Sequence, residues 1–150
     1  MSGEFVHLKC HTEYSLSDGL LRVADVVELA AEDNMIAVAV TGLVNLFALV
    51  KFYKKALAKR VKPIVGAELF VRDGEHLSRI TVLCQNQEGY LHLTQLISAA
   101  YLTGQHQSEH PEISWEALVE HQAGLIVLSG GRAGDVGQAL LQGDTERATT

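Results

Sequence analysis

Short apolar runs alternate with segments of helical period along almost the whole chain, and this alternation constrains the fold more than any other feature. Phe5–Leu8 reads as a first strand. Ile36–Thr41 is an unbroken apolar run, as expected of a strand buried on both faces. Pro63–Val71 is a third strand, opening on a proline that a sheet accepts at a strand's first residue. Ile80–Cys84 and Leu125–Leu128 are two more. Between them, Val23–Asn34 carries Val23, Val26, Val27, Ala30 and Ala31 at helical spacing. Asn45–Lys59 sets Leu46, Leu49, Val50, Tyr53 and Leu57 on one face, and Glu88–Leu102 carries Tyr90, Leu93, Leu96 and Ile97. Ser114 is placed to cap a short helix containing Trp115, Leu118 and Val119, and Asp135–Gln142 is a last helix. Tyr14–Gly19 and Thr103–Ile113 are polar loops, and Asp73-Gly74 is a turn signal.

Strands and helices in alternation imply an α/β fold with a parallel sheet and covering helices. Periodicity leaves an open sheet and a closed barrel equally available. In either, chemistry gathers in the loops at the carboxyl ends of the strands. Those are the loops after Leu8, Thr41, Val71, Cys84 and Leu128.

Composition excludes several classes of function. The chain has 150 residues, enough for one domain, and a net charge of -6. Duplex DNA binding by a lone domain needs a basic face. The basic cluster Lys51, Lys54, Lys55, Lys59, Arg60 and Lys62 reads as a solvated helix face, so this segment is not expected to hold DNA unaided. No apolar run reaches the length of a membrane span, and the start lacks the pattern of a secretory signal, so a cytoplasmic location is expected. Cys10 and Cys84 have no zinc-site spacing and read as reduced, half-buried thiols.

The first strand-end loop reads His7-Leu8-Lys9-Cys10-His11-Thr12-Glu13-Tyr14-Ser15, followed by Asp18-Gly19. Further along come Ala39-Val40-Thr41, Lys51-Phe52-Tyr53, Lys62-Pro63-Ile64-Val65-Gly66-Ala67-Glu68, and Thr81-Val82-Leu83 with Asn86, Gly89 and Tyr90. Gly124-Leu125-Ile126-Val127-Leu128-Ser129-Gly130-Gly131-Arg132 closes the series. In this order the motifs resemble the PHP (polymerase and histidinol phosphatase) family. Tyr14-Ser15-x-x-Asp18-Gly19 resembles the form found at the amino terminus of bacterial DNA polymerase III alpha subunits.

The resemblance implies a distorted (β/α) barrel of PHP type that continues past residue 150, so only its amino-terminal part is present and one domain fills residues 1–150. It also implies a metal cluster at the strand ends. Family enzymes hold two or three divalent ions there through His, Asp, Glu and Cys, and hydrolyse phosphoesters. By resemblance, His11, Asp18 and Glu68 are retained at metal positions. Lys9 stands in place of a histidine, Gly42-Leu43 in place of Asp-His, Arg79 in place of a histidine and Gly131 in place of a common cysteine. Two of the replacements are cations, which repel a divalent ion. The expectation is a vestigial site: no metal, no catalytic residue, and Lys9 and Arg79 paired with Asp18 or Glu68.

Ligand loss of this kind implies a scaffold that supports the polymerase and binds the separate proofreading exonuclease subunit, within the rest of the polymerase III holoenzyme. DNA and Mg2+ belong to the parent DNA-directed DNA polymerase, whose acidic palm motif this segment does not resemble. The alternative is a metal-dependent phosphoesterase. His76, His92, His106, His110 and His121 match no ligand position and read as surface residues. Gly130-Gly131-Arg132-Ala133-Gly134 lacks the Lys-Ser/Thr of a phosphate loop and reads as a tight strand-to-helix turn.

Overall fold

A computed structural model describes residues 5–104 and 109–149. The chain divides into two compact units, Met1–Ala67 and Glu68–Thr150.

In the first unit, the segment from Phe5 is extended without forming a regular strand. It is nevertheless hydrogen-bonded to β1 (Ala37–Leu43): the carbonyl of His7 accepts from the Ala39 amide at 2.8 Å, and that of Cys10 from Thr41 at 2.9 Å. A short 3-10 turn, Glu13–Asp18, replaces the expected loop, with Thr12 as its cap and a break at Leu16 (φ 55°). The first helix, α1 (Val23–Glu32), buries Val23, Val26, Val27 and Ala30, the face its spacing calls for. β1 is buried on both faces up to Thr41 and Gly42.

The second helix, α2 (Leu49–Ala58), begins four residues later than its sequence pattern suggests and buries a different face. Phe52 and Ala56 are inside, whereas Val50, Tyr53 and Leu57 are exposed. The reason is close packing. Ala48 and Ala56 are small enough to flank Phe52 while its ring enters the cluster of Val23, Val27, Ala30, Val38, Val40 and Val61. At the margin, Lys55 Nζ donates to Glu28 of α1 at 2.7 Å, and this hydrogen bond holds the Glu28 carboxyl below its usual range.

Strand β2 (Lys62–Asp73) crosses the division of the chain. In the second unit it is followed by β3 (His76–Cys84) after the two-residue connection Gly74-Glu75, with Gly74 at φ 56°. So short a link permits only an antiparallel hairpin. β4 (Glu112–Ser114) lies parallel to β2, with Phe70 opposite Glu112. β5 (Leu125–Leu128) lies antiparallel to β3, with Thr81 opposite Leu128 and Cys84 opposite Leu125. A parallel sheet throughout is therefore not what forms here. The turn residues Asp73-Gly74 override the strand-helix alternation.

The remaining helices are α3 (Gln87–Thr103), α4 (Trp115–Glu120), α5 (Asp135–Gln142) and α6 (Thr145–Thr149). Asn86 caps α3 by accepting from the Gly89 amide at 2.9 Å, and Ser114 caps α4 by accepting from Ala117 at 3.2 Å. β5 is not buried as expected. Ile126 and Val127 are 42% and 44% exposed, because β5 ends the hydrogen-bonded path β2-β3-β5. The expected loop Thr103–Ile113 shrinks, since α3 takes Thr103 and β4 takes Glu112 and Ile113; residues 105–108, with His106, lie outside the described residues. Among the described residues no helix is long and apolar enough to cross a membrane.

Both cysteines are free and half-buried. Burial pushes the Cys84 thiol up to about 11 and raises that of Cys10. At pH 7.5, iodoacetamide is expected to alkylate Cys84 in the native chain about a hundredfold more slowly than in the urea-unfolded chain, because the thiolate is the nucleophile. Peptide mass spectrometry over a time course checks this; equal rates in both states would contradict the burial.

Candidate functional site

The positions that resemble metal ligands fall into two groups. In the second unit, Glu68 on β2 is completely buried and faces Arg79 on β3. Arg79 donates to Glu68 Oε2 from Nε at 2.8 Å and from Nη2 at 2.5 Å. Thr81 donates to Oε1 at 3.4 Å. The hairpin explains the placement: counted back from Gly74-Glu75, Glu68 stands opposite Thr81 and diagonal to Arg79 on one face of the pleat. The guanidinium also lies 5.9 Å from the centroid of Phe70, which stacks on His110 at 4.5 Å.

The arrangement is that of a structural ion pair. An ion seeking Glu68 as a ligand would have to displace a guanidinium that already neutralises it in a poorly hydrated setting. Gly130, after β5, helps to fix the partner. Its φ is 66°, and a Cβ there would stand 1.8 Å from the Arg79 carbonyl oxygen, so only glycine fits. Gly131 follows at φ 59° with open space around it. Gly130–Gly134 is thus the tight strand-to-helix turn its sequence suggests, built around the 3-10 turn Gly131–Ala133.

In the first unit, His11 Nδ1 lies 4.0 Å from Asp18 Oδ2, with the side chains 12% and 38% exposed. That distance is too long for a hydrogen bond. Lys9 is exposed. Gly42 and Leu43 end β1, and a polar network invisible to motif reading surrounds them. The Leu43 amide donates to Ser15 Oγ at 3.3 Å. The buried Asn45 donates from Nδ2 to the carbonyls of Leu43 (2.9 Å) and Tyr14 (3.2 Å), and its Oδ1 accepts from the Phe47 amide at 3.1 Å. A Cβ at Gly42 would sit 2.6 Å from the Asn45 carbonyl oxygen. The place of an Asp-His pair is therefore held by backbone staples. The one sequence signal for them was an asparagine just after a strand, a residue that suits turns.

Among the described residues, no three or more His, Cys, Asp or Glu side chains converge as the family's cluster of two or three ions would require. Open clefts lie among the described residues of the second unit. One, of about 540 Å³, is lined in part by Arg72 and Glu112, which form a direct ion pair. Another, of about 770 Å³, includes Trp115, Asp135 and Arg147. Neither described lining includes a vestigial metal position.

The sequence pattern of the PHP domain matches residues 7–150. DNA polymerase III subunit alpha of Vibrio cholerae is 46% identical over 147 residues, which is 96% of this chain and 13% of that protein. The Escherichia coli K12 subunit of the same name is also 46% identical, over 144 residues, 94% of this chain and 12% of its own. This chain therefore spans about an eighth of the length of these relatives. An amidohydrolase from Chromobacterium violaceum, solved with bound sulfate and no metal, is 22% identical and superimposes with a TM-score of 0.52 over 63% of this chain and 32% of that one, a likeness of fold.

Proposed function

From the premise that this chain belongs to the PHP domain family and aligns with the amino-terminal region of DNA polymerase III alpha subunits, we propose that it serves a replicative polymerase as a non-catalytic scaffold that holds the proofreading exonuclease subunit. One observation carries the reading: Glu68, the retained acidic position, is fully buried and occupied by Arg79. A phosphoesterase must offer its carboxylates to metal ions that activate water. Here the carboxylate is consumed by a protein cation. With a net charge of -6, contact with DNA falls to other parts of the parent subunit, as do nucleotidyl transfer and its Mg2+.

The test is a pull-down of the exonuclease subunit by the full alpha subunit, with and without residues 1–150. Deletion is expected to reduce retention at least tenfold. Undiminished binding by a truncated subunit shown to be folded would sink the scaffold reading. In parallel, Mn2+ is expected to elicit no hydrolysis of bis(4-nitrophenyl) phosphate by the chain. Turnover that Glu68→Gln abolishes would restore the phosphoesterase reading.

A further inference from the structure

We propose that His92 and His121 form a binding site for one borderline divalent transition-metal ion of the Zn2+ or Cu2+ type, separate from every position of the family's motifs. His92 lies in the second turn of α3, and His121 caps the carboxyl end of α4. Their ring centroids are 5.5 Å apart, with the planes at 85°. His92 Nδ1 is 2.9 Å from the Ala123 carbonyl oxygen, and His121 Nδ1 is 2.9 Å from that of Ala117. A carbonyl oxygen can only accept, so each neutral ring carries its proton on Nδ1 and keeps its lone pair on Nε2. Metal-binding histidines are prepared in this way, with the far ring nitrogen donating to a backbone carbonyl.

The centroid separation of 5.5 Å is close to that of two rings on one ion. With metal–nitrogen bonds of about 2.0–2.1 Å and tetrahedral angles, two imidazole centroids on one ion stand about 5.2 Å apart. The frame is also rigid. The Gln85 amide donates to the Gly124 carbonyl at 2.9 Å, and Leu125 donates to Gln122 at 3.0 Å. The start of α3 meets Gly124 so closely that a Cβ on Gly89 would be 1.8 Å from the Gly124 oxygen. The turn carrying His121 is thereby held against the helix carrying His92. No third His, Cys, Asp or Glu joins the pair among the described residues. Two imidazoles select a borderline ion over Mg2+ or Ca2+, and the other coordination positions stay open to water or an external ligand.

The experiment is a Zn2+ titration of the tag-free chain at pH 7.5 in competition with a chromophoric chelator. One equivalent is expected to bind. His92→Ala and His121→Ala should each weaken binding at least tenfold, while His76→Ala and His110→Ala leave it unchanged. Histidine 15N spectra of the unsubstituted chain add a readout independent of folding defects in variants. Zn2+ should shift both Nε2 resonances and leave both Nδ1 protonated. Absence of binding, binding that survives the double substitution, or binding that leaves the two Nε2 signals in place would overturn the site.

Discussion

Arg79→Ala is expected to destabilise the unit Glu68–Thr150 by about 3–5 kcal/mol, the usual cost of stripping one partner from a buried ion pair. The size follows from an asymmetry of exposure. Glu68 has no contact with solvent, whereas the Arg79 side chain is 24% exposed. Without the guanidinium, the carboxylate keeps the long contact from Thr81 Oγ1 at 3.4 Å but loses its neutralising charge, and it must either take up a proton or draw water inward. Glu68→Gln should cost less, because the cation left behind can reach water. Arg79→Lys keeps the charge but loses the planar fork, and it should fall between the two. The double replacement Glu68→Met/Arg79→Met should come back close to the parent, since a packed apolar pair avoids desolvating two charges. Urea unfolding of the four variants checks the order. An Arg79→Ala variant within about 1 kcal/mol of the parent would show that the pair is peripheral.

That pair was legible in the sequence only in part. Motif order identified Glu68 as an acidic position and Arg79 as a cation where a histidine is usual, and charge alone suggested that they meet. The means of meeting differs from the one the strand-helix alternation implies. Alternating strands and helices argued for parallel pairing, yet the two residues face each other because Asp73-Gly74 turns β2 straight into β3. A two-residue turn is a local signal, and it prevails over the long-range pattern. His11 and Asp18 were also found by motif, and they approach to 4.0 Å. The staples at Ser15 and Asn45 carry no motif. A buried side chain that bonds to backbone carbonyls depends on where the chain folds back, and no spacing rule encodes that. His92 and His121 lie 29 positions apart and read as surface residues, but the close passage of Gly89 by Gly124 brings their rings together.

Phe52→Ala is expected to cost the unit Met1–Ala67 about 3–5 kcal/mol, the range for emptying a buried aromatic site. Phe52 is 1% exposed and packs into a cluster made largely of Val and Ala, small or β-branched residues with little freedom to relax into the void. Its neighbour supplies the contrast. Tyr53 is 46% exposed, Leu57 55% and Val50 65%, so Tyr53→Ser, Leu57→Ser and Val50→Ser should each stay within about 0.5 kcal/mol in the isolated chain. The comparison decides the rotation of α2. Hydropathy spacing favours the stripe Leu46, Leu49, Val50, Tyr53 and Leu57, because it weighs large apolar residues above alanine. Packing instead favours the stripe one residue back, where Ala48 and Ala56 let α1 approach. The two choices differ by about 100° about the helix axis. Thermal unfolding of the four variants separates them: a mild Phe52→Ala beside costly Tyr53→Ser and Leu57→Ser would mean that the hydropathy stripe, and not the alanine-lined one, faces the core.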